Sequence, residues 1–410
     1  MRFARLTPLS LLFLVATSWS QSADEWVKKG NAQFAKADYD QAIQSYTEAV
    51  RLKPEDAETF NLRAMAHVTK GDLDRAIQDW NEAVRLNPKL ASAFNNLGAA
   101  YHQKEDYDRA IQSYAAAIRL EPKLAETFNN RGRAYALKGD NDRAIQDLAE
   151  AIRLKPDYAD ALTYRGLLEY SAKGNYDQAM RDFNDAIRVN PNDAGAHSYR
   201  AILYNDKGDY DHAIADANHS VRLDPNFAKA YAARGTAYYG KGNLGQAIQD
   251  STKAIQLDPK LFEAFNTRGR AYQARGEYDR ALADFRDALR LKPDLTEAVN
   301  NVGVIYLNKG DIGGAIEQFT EAIRMRPNYA RAFNNRGIAY ANKGDYDRAL
   351  QDYSEALRLQ PEYANALYNR ALVYRAKGDQ VRAMQDLKAV LQLNPNHAQA
   401  ATAIKDLEEK

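Results

Sequence analysis

Eleven prolines recur at an almost constant interval, and this interval constrains the fold more than any other feature of the sequence. Successive prolines are 34 residues apart, except for one gap of 35 residues. A fixed period in this range predicts a solenoid, in which each repeat packs only on its neighbours. Repeats that begin 31 residues before each proline, or 32 before Pro191, give eleven repeats over residues 23–397, with the 35-residue repeat at 159–193. The series consists of Pro54, Pro88, Pro122, Pro156, Pro191, Pro225, Pro259, Pro293, Pro327, Pro361 and Pro395.

Each repeat has the pattern of two short helices joined by a turn. Apolar and small residues recur at steps of three and four residues in each half, which is the helical period. In the tenth repeat the turn is Lys343-Gly344-Asp345. Glycine can end one helix in the left-handed conformation, and aspartate can cap the next by accepting backbone N–H groups. The closing proline cannot extend the second helix and marks the following turn.

Two positions of the repeat take only small side chains. Every repeat has alanine at one position of its second helix, such as Ala349, and glycine or alanine at one position of its first, such as Gly337. Glycine inside a helix costs about 1 kcal/mol relative to alanine. Its repeated use therefore predicts that two helices approach closely at this position.

These residues resemble those of the tetratricopeptide repeat family. The shared features are the 34-residue period, Gly337 followed by Tyr340, Ala349 followed by Tyr353, and the closing Pro361. The resemblance covers residues 23–397 and implies an all-α, right-handed superhelical solenoid of antiparallel helix pairs. It also implies a concave groove, lined by the first helices, that binds peptides or extended segments of partners. The resemblance is specific for the fold and only weakly specific for function.

Arginine at one position of the first helix and aspartate at one position of the second occur together in eight of the eleven repeats. The remaining three repeats have neither residue: they carry Lys29 with Ser45, Leu97 with Ser113, and Val302 with Gln318. The simplest account is an ion pair that joins the two helices of one repeat, although recent duplication would also copy both residues. Such pairing favours a structural role for the arginine row over phosphate binding. The eight pairs are Arg63 with Asp79, Arg131 with Asp147, Arg165 with Asp182, Arg200 with Asp216, Arg234 with Asp250, Arg268 with Asp284, Arg336 with Asp352, and Arg370 with Asp386.

Charge and composition exclude several classes of function. Lys and Arg number 56 and Asp and Glu 55, a net charge of +1, whereas a general nucleic-acid binder needs a positive excess. There is no cysteine, and therefore no disulfide or thiolate site. No phosphate-binding loop, nucleophile elbow or zinc motif occurs. We therefore predict a protein that is not an enzyme, with no catalytic residues, no metal site and no cofactor.

Asparagines cluster in the first helices, where the family resemblance places the groove. Amide side chains both donate and accept hydrogen bonds, so a row of them could hold the backbone of an extended peptide. The row is similar to the asparagine ladder in the repeat region of O-linked N-acetylglucosamine transferases, but Tyr164, Tyr199, Ala232 and Ala233 interrupt it. The alternative is that asparagine simply suits a solvated helix start. The candidate groove residues are Asn61, Asn95, Asn96, Asn129, Asn130, Asn266, Asn300, Asn301, Asn334 and Asn335.

The middle of the chain carries smaller residues at core positions. Ala217 and Ser251 stand where most repeats have an aromatic or leucine side chain. Smaller side chains bury less apolar area, at roughly 25 cal/mol per Å². The sequence therefore predicts a hinge or a looser stack around residues 165–255.

The two ends of the chain differ from the repeats. Residues 1–20 combine Arg2 and Arg5, an apolar run, and small residues near Ser20, which is the pattern of a cleaved secretory signal peptide. The apolar run is shorter than the roughly 20 residues that span a bilayer, which disfavours an uncleaved anchor. Residues 398–410 form a predicted capping helix, with Ala401, Ile404 and Leu407 on its apolar side.

Together these features predict a periplasmic or secreted scaffold that binds an extended segment of a protein partner in its groove. Envelope assembly or secretion would suit such a scaffold. The alternative is a protein that binds polysaccharide or another polymer during export, since asparagine and tyrosine suit sugars as well. No nucleic-acid partner and no stable membrane insertion after signal cleavage are expected. The oligomeric state and the identity of the partner are not determined by the sequence.

Overall fold

The computed structural model describes residues 22–408, and this part of the chain contains twenty-three α-helices and no β-strand. The predicted fold class, an all-α solenoid of helix pairs, is confirmed. The helices are α1 (Ala23–Ala35), α2 (Tyr39–Leu52), α3 (Ala57–Thr69), α4 (Leu73–Leu86), α5 (Ala91–Gln103), α6 (Tyr107–Leu120), α7 (Ala125–Leu137), α8 (Asn141–Leu154), α9 (Ala159–Ser171), α10 (Tyr176–Val189), α11 (Ala194–Asp206), α12 (Tyr210–Leu223), α13 (Ala228–Gly240), α14 (Leu244–Leu257), α15 (Phe262–Ala274), α16 (Tyr278–Leu291), α17 (Thr296–Asn308), α18 (Ile312–Met325), α19 (Ala330–Asn342), α20 (Tyr346–Leu359), α21 (Ala364–Ala376), α22 (Gln380–Leu393) and α23 (Ala398–Glu408).

The helices pack in consecutive pairs, from α1 with α2 to α21 with α22. We call the odd-numbered member of a pair its first helix and the even-numbered member its second helix. The turn between them has the predicted chemistry: Gly344 has a φ of 83°, and the Asp345 carboxylate accepts the backbone N–H of Arg348 at 3.2 Å. In the two repeats without this glycine, Ala37 and Glu105 adopt the same positive φ, at 60° and 59°.

The chain divides into two compact halves, Met1–Val189 and Asn190–Lys410. The described part of the N-terminal half contains α1–α10, and that of the C-terminal half contains α11–α23. In each half, the large side chains of successive second helices are fully buried between the helices of their repeat. They are Tyr46, Tyr114, Leu148 and Phe183 in the N-terminal half, and Phe285, Phe319, Tyr353 and Leu387 in the C-terminal half.

The predicted close approach of the two helices is confirmed at the small position of the first helix. A Cβ atom added at Gly337 would lie 2.7 Å from the Tyr353 ring, and one added at Gly98 would lie 2.7 Å from the Tyr114 ring. Real Cβ atoms essentially never come within 3.0 Å of another heavy atom. Glycine therefore leaves the space that the aromatic ring of the second helix occupies.

Packing between α11 and α15 is tighter than the sequence predicted. Alanines fill the interior here, including Ala217, Ala233 and Ala237, and α13 packs directly on both α11 and α15. The Asn205 side-chain amide donates to the carbonyl oxygen of Ala233 at 2.8 Å, so first helices of adjacent repeats are in direct contact. A looser stack is not observed between α11 and α15, because small side chains let neighbouring helices pack closely. The boundary between the two compact halves falls within residues 165–255, and the hinge predicted there stays a prediction.

At the C-terminal end, α23 packs against α22. Its buried residues are Ala400, Ala403 and Leu407, so its apolar side is displaced from the one expected from Ala401. The signal peptide that we predict at residues 1–20 lies outside the described residues. Within residues 22–408, no helix is both long enough and apolar enough to cross a membrane.

Candidate functional site

The arginine row is paired as the sequence predicted. In all eight repeats the guanidinium donates from Nε and Nη2 to the two carboxylate oxygens of the aspartate, at 2.6–2.9 Å. The aspartate side chains are 1–10 % exposed and the arginine side chains 17–21 %. This two-point geometry is the strong form of an Arg–carboxylate pair. The row is therefore neutralised along its length.

The third nitrogen of the guanidinium joins neighbouring repeats. Nη1 of Arg268 donates to the Thr252 hydroxyl at 3.1 Å, and Nη1 of Arg336 donates to the Thr320 hydroxyl at 3.1 Å. Arg63, Arg234 and Arg370 make the equivalent contact to Thr47, Asn218 and Ser354. These arginines bridge three helices, and their hydrogen-bonding capacity is used inside the protein. The structural interpretation of the row is confirmed for the eight pairs.

The sixth repeat adds a histidine to its pair. The Asp216 carboxylate contacts Arg200 and also Nδ1 of His197, which lies 3.1 Å from Oδ1. Burial acts to raise the pKa of Asp216, but the hydrogen bonds from Arg200 and His197 outweigh it and hold the pKa below its ordinary value. The carboxylate therefore stays ionised, and this cluster belongs to the interior of the repeat. Among the described residues, no three His, Asp or Glu side chains are grouped so that they could hold a metal ion.

The ten candidate asparagines occupy two adjacent positions of the first helix. At the earlier position, four side chains are almost fully buried: Asn61, Asn129, Asn300 and Asn334 are 6 %, 3 %, 1 % and 3 % exposed. Asn95 and Asn266 at that position are partly buried, as are Asn96, Asn130, Asn301 and Asn335 at the later one. Neither position is the fully solvated helix start of the alternative interpretation.

The amides bind one another across repeats. In the C-terminal half, Nδ2 of Asn369 donates to Oδ1 of Asn334 at 3.0 Å, and Nδ2 of Asn335 donates to Oδ1 of Asn300 at 3.0 Å. Nδ2 of Asn334 also donates to Oδ1 of Asn335 at 3.3 Å, which makes the chain of amides continuous from α21 to α17. The asparagines at the earlier position therefore link first helices of neighbouring repeats by hydrogen bonds. Partner binding by the ten asparagines stays a prediction, and their burial restricts it mainly to the later position.

The N-terminal half repeats this arrangement with differences. Oδ1 of Asn61 accepts from both Nε1 of Trp80, at 2.9 Å, and Nδ2 of Asn96, at 3.3 Å. The next repeat after Asn129 carries Tyr164 where an asparagine would continue the row, and Oδ1 of Asn129 is buried with no hydrogen-bond partner among the described residues. The interruption of the row thus leaves one buried acceptor without a donor.

First helices of the N-terminal half, with α4, line an open, mainly apolar cavity of about 250 Å³. Met65 and Val68 of α3 line it, together with Phe34, Trp80 and Asn96. No charged side chain contributes to its lining. This cavity offers space for an apolar side chain beside one amide of the asparagine row.

A second cavity, of about 360 Å³, is formed entirely by first helices of the C-terminal half. We call it the C-terminal groove cavity. It is lined from α13, α15, α17 and α19 by Tyr239, Arg270, Gln273, Ala274, Asn300, Asn301, Val304, Asn308, Arg331 and Asn335. Three successive repeats thus present five carboxamides to one space, and the repeat before them adds Tyr239. The lining includes Asn300, Asn301 and Asn335 from the candidate set, and the other seven candidates lie outside it.

Sequence analysis missed five polar residues of this cavity: Tyr239, Arg270, Gln273, Asn308 and Arg331. A signal for Arg270 was present, because it follows Arg268 of the paired row by two residues and has no aspartate assigned to it. The others carry no signal in the sequence alone, since they occupy variable positions of the repeat.

Comparison with protein families finds tetratricopeptide repeats along the chain. Six models of this repeat match; the one described as "TPR repeat" matches residues 30–71 and 64–105. Models described as "Tetratricopeptide repeat" match residues 97–169, 168–226, 228–261, 266–330, 330–363 and 364–397. No curated protein matches the sequence.

Solved structures share the fold. The APC/C hetero-tetramer Cut9-Hcn1 aligns with a TM-score of 0.61 and 18 % identity over 95 % of this chain and 96 % of that chain. Yeast Tom70 aligns with a TM-score of 0.43 and 19 % identity over 94 % and 95 % of the two chains. A tetratricopeptide repeat protein from Parabacteroides merdae aligns with a TM-score of 0.49 and 25 % identity over 61 % and 98 %. The repeated helix pairs and the family matches together show that this chain is built of tetratricopeptide repeats and belongs to that family.

Proposed function

We propose that the protein is a non-catalytic scaffold whose first helices bind an extended segment of a protein partner. Proteins built of tetratricopeptide repeats are protein-interaction scaffolds, which supports the general class. The observation that carries the proposal is the C-terminal groove cavity, which four successive first helices line and to which three of them, α15, α17 and α19, present carboxamides. The binding site is therefore expected on first helices rather than on second helices.

Carboxamides suit an extended backbone because each one donates and accepts hydrogen bonds, as a peptide unit does. Within the cavity, Asn335 uses one N–H for Asn300 and its oxygen for Asn334, which leaves its second N–H free to bind. Asn301 and Asn308 of α17 and Gln273 of α15 add further amides to the same cavity. A strand-like segment that crosses these helices can satisfy its backbone groups whatever its side chains.

The proposal includes a location outside the cytoplasm. It rests on the signal-peptide pattern of residues 1–20, which would direct the chain to the periplasm or the medium. A scaffold in that compartment would serve envelope assembly or secretion. Fractionation of cells that express the full chain tests this directly, since cleavage near Ser20 would lower the mass of the exported protein.

The proposal is tested by site-specific photocrosslinking in cells that produce the full chain. A photoreactive residue replaces Asn308, which lines the cavity, or, as the control, Arg290 on second helix α16, which pairs with Asp287 outside it. We expect protein adducts from position 308 and few from position 290. Adducts that form mainly from position 290 would move the partner surface to the second helices and contradict the proposal.

A polysaccharide or another exported polymer is the second candidate. The observation in its favour is that the C-terminal groove cavity combines the Tyr239 hydroxyl with five carboxamides, and hydroxyl and amide groups can hydrogen-bond the hydroxyls of a sugar. Calorimetric titration of the protein with purified exopolysaccharide separates the two candidates. A heat of binding that is measured for the native chain and is absent for Tyr239→Ala would favour the polymer over the protein segment.

A further inference from the structure

The C-terminal groove cavity holds positive charge that nothing in its lining neutralises. Arg270 of α15 and Arg331 of α19 both line it, and none of its other lining residues is acidic. Within residues 22–408, no carboxylate lies within 4.0 Å of either guanidinium. This contrasts with a chain whose total charge is almost balanced, at +1. The two charges therefore lie in one open groove, where Arg270 is partly buried and Arg331 is exposed.

Most neighbouring arginines do have acidic partners. Arg268 binds Asp284, and Arg326 binds Glu297 at 2.7 Å. Between residues 262 and 342, the arginines with an acidic partner are Arg268, Arg275, Arg280, Arg290, Arg324, Arg326 and Arg336. Arg270, Arg286 and Arg331 depart from this pattern, and of these three only Arg270 and Arg331 line the cavity, from the two helices on either side of α17. Their charge is left for a ligand.

Contacts with tyrosines hold both guanidinium groups without cancelling their charge. The Arg270 guanidinium carbon lies 4.2 Å from the centroid of the Tyr239 ring, a stacking that leaves its N–H groups free. Arg331 faces Tyr363, where burial raises the pKa of the phenol and the charge and hydrogen bond of Arg331 oppose that rise. Groups held in place before binding lose less conformational entropy when the ligand arrives.

We propose that this cavity binds an acidic stretch of an extended peptide, with side-chain carboxylates at Arg270 and Arg331 and its backbone on the carboxamides between them. This inference rests on the proposed function and names the chemistry of the partner at that site. Guanidinium binds carboxylate through two parallel hydrogen bonds, which gives orientation as well as affinity. Asn301, Asn335 and Gln273 supply the donors and acceptors that a peptide backbone needs.

A nucleic acid fits the same site less well. Nucleic-acid binding needs many phosphate contacts and a broad positive surface, whereas the arginine row is already bound to its eight aspartates. Single-stranded nucleic acid also needs exposed aromatic faces for its bases. Tyr239 is the one aromatic residue of the cavity lining, and its ring face carries Arg270.

The test is a fluorescence-anisotropy titration of the full chain with three labelled probes. They are a capped peptide of alternating glycine and glutamate, the same peptide with glutamine for glutamate, and a single-stranded oligonucleotide. The variants are Arg270→Gln with Arg331→Gln, and Arg290→Gln as an exposed control outside the cavity. Circular dichroism and thermal unfolding establish that each variant retains its fold.

The acidic peptide is expected to bind more tightly than its glutamine counterpart, by about tenfold for each arginine engaged, and less tightly as salt rises. The double variant should lose this preference, and Arg290→Gln should keep it. Equal binding of the two peptides would overturn the charge preference and leave groove binding of peptides intact. Binding of neither peptide would overturn this inference, and the photocrosslinking result would then decide the proposed function separately. Tighter binding of the oligonucleotide through the same two arginines would overturn the peptide assignment.

Discussion

At the scale of single residues, arginine and asparagine each occur in two kinds of environment, which differ in the groups that their side chains contact. Arg268 and Arg270 are two residues apart on α15, yet the first is bound to Asp284 and the second has no carboxylate within 4.0 Å among the described residues. Asn300 and the adjacent Asn301 both line the groove cavity, but Asn300 is almost fully buried and its oxygen accepts from Asn335, whereas Asn301 is only partly buried. Function in this protein therefore depends on position within the repeat more than on residue type.

The Arg268–Asp284 pair allows a test at this scale. Asp284→Ala should destabilise the C-terminal half by about 3 kcal/mol, because it leaves the Arg268 charge without its partner in a largely buried site. The measurement is thermal unfolding of the full chain, with hydrogen exchange in α15 and α16 to locate the loss. The ninth repeat supplies the control, since Val302 and Gln318 occupy the same two positions there.

The control variant therefore combines Arg268→Val with Asp284→Gln. It removes both charges together and should cost less than Asp284→Ala, because no isolated charge remains. An unchanged melting temperature for Asp284→Ala would show that the pair contributes nothing to stability, and the structural role of the row would then be wrong.

At the scale of helices, stability follows from how closely the two members of a pair approach. The glycine position of the first helix faces the aromatic ring of the second helix in most repeats, such as Gly337 with Tyr353. In the seventh repeat the ring is replaced by Ser251, whose buried hydroxyl has no hydrogen-bond partner among the described residues. Replacement of this glycine by alanine should therefore change stability differently in the two repeats.

Gly337→Ala is expected to destabilise the protein by up to about 2 kcal/mol. Alanine favours the helix by about 1 kcal/mol, but its Cβ would lie 2.7 Å from the Tyr353 ring, and overpacking typically costs 1–3 kcal/mol. Urea unfolding followed by circular dichroism measures the change. Gly235→Ala is the matched comparison.

In Gly235→Ala the nearest atom to the new Cβ is Oγ of Ser251, at 2.9 Å. This hydroxyl can rotate away without breaking a hydrogen bond. The next atoms, the Ala247 carbonyl oxygen and the Ser251 backbone nitrogen, lie 3.3 Å from the new Cβ, so the variant should still lose less stability than Gly337→Ala. If both variants lose the same stability, the ring contact is not the reason for glycine at this position.

At the scale of the whole molecule, each repeat depends on its neighbours for a complete core, and an end needs cover. In the C-terminal half, α23 supplies Ala400, Ala403 and Leu407 to the cluster that contains Leu387 and Val390. The two compact halves each contain a row of buried side chains from their second helices. The fold is therefore a series of similar contacts between neighbouring repeats. The contact between the last repeat and α23 is the easiest of these to test.

Removal of residues 398–410 should destabilise the last repeat by about 2–4 kcal/mol, through the loss of apolar burial by Leu407 and the residues beneath it. Hydrogen exchange in α21 and α22 should accelerate, and exchange in α11 should change little. Lys405→Ala, at an exposed position of α23, is the control and should leave exchange unchanged. Unaltered protection of α21 and α22 in the truncated chain would show that α23 does not act as a cap.

Much of the fold was predictable because its determinants are local. The proline interval located the repeats, Gly344 and Asp345 located a turn, and the joint occurrence of arginine and aspartate identified eight contacts between helices. The packing of α11 to α15 was not predictable in this way. Small residues there suggested weak packing, but they instead allow neighbouring first helices to move together, which depends on the backbone rather than on side-chain volume.

The candidate site was predictable only in part. The sequence alone identified asparagines of the first helices, because repeats can be compared with one another inside one chain. Which amide faces a neighbour and which faces the groove was decided by the tertiary structure, since the two asparagine positions are adjacent in sequence and differ by the rotation of the helix. The same holds for Arg270 and Arg331, which are 61 residues apart in the chain and line one cavity only because successive repeats stack. Periodicity determined the elements and their order, and stacking determined which side chains share a space.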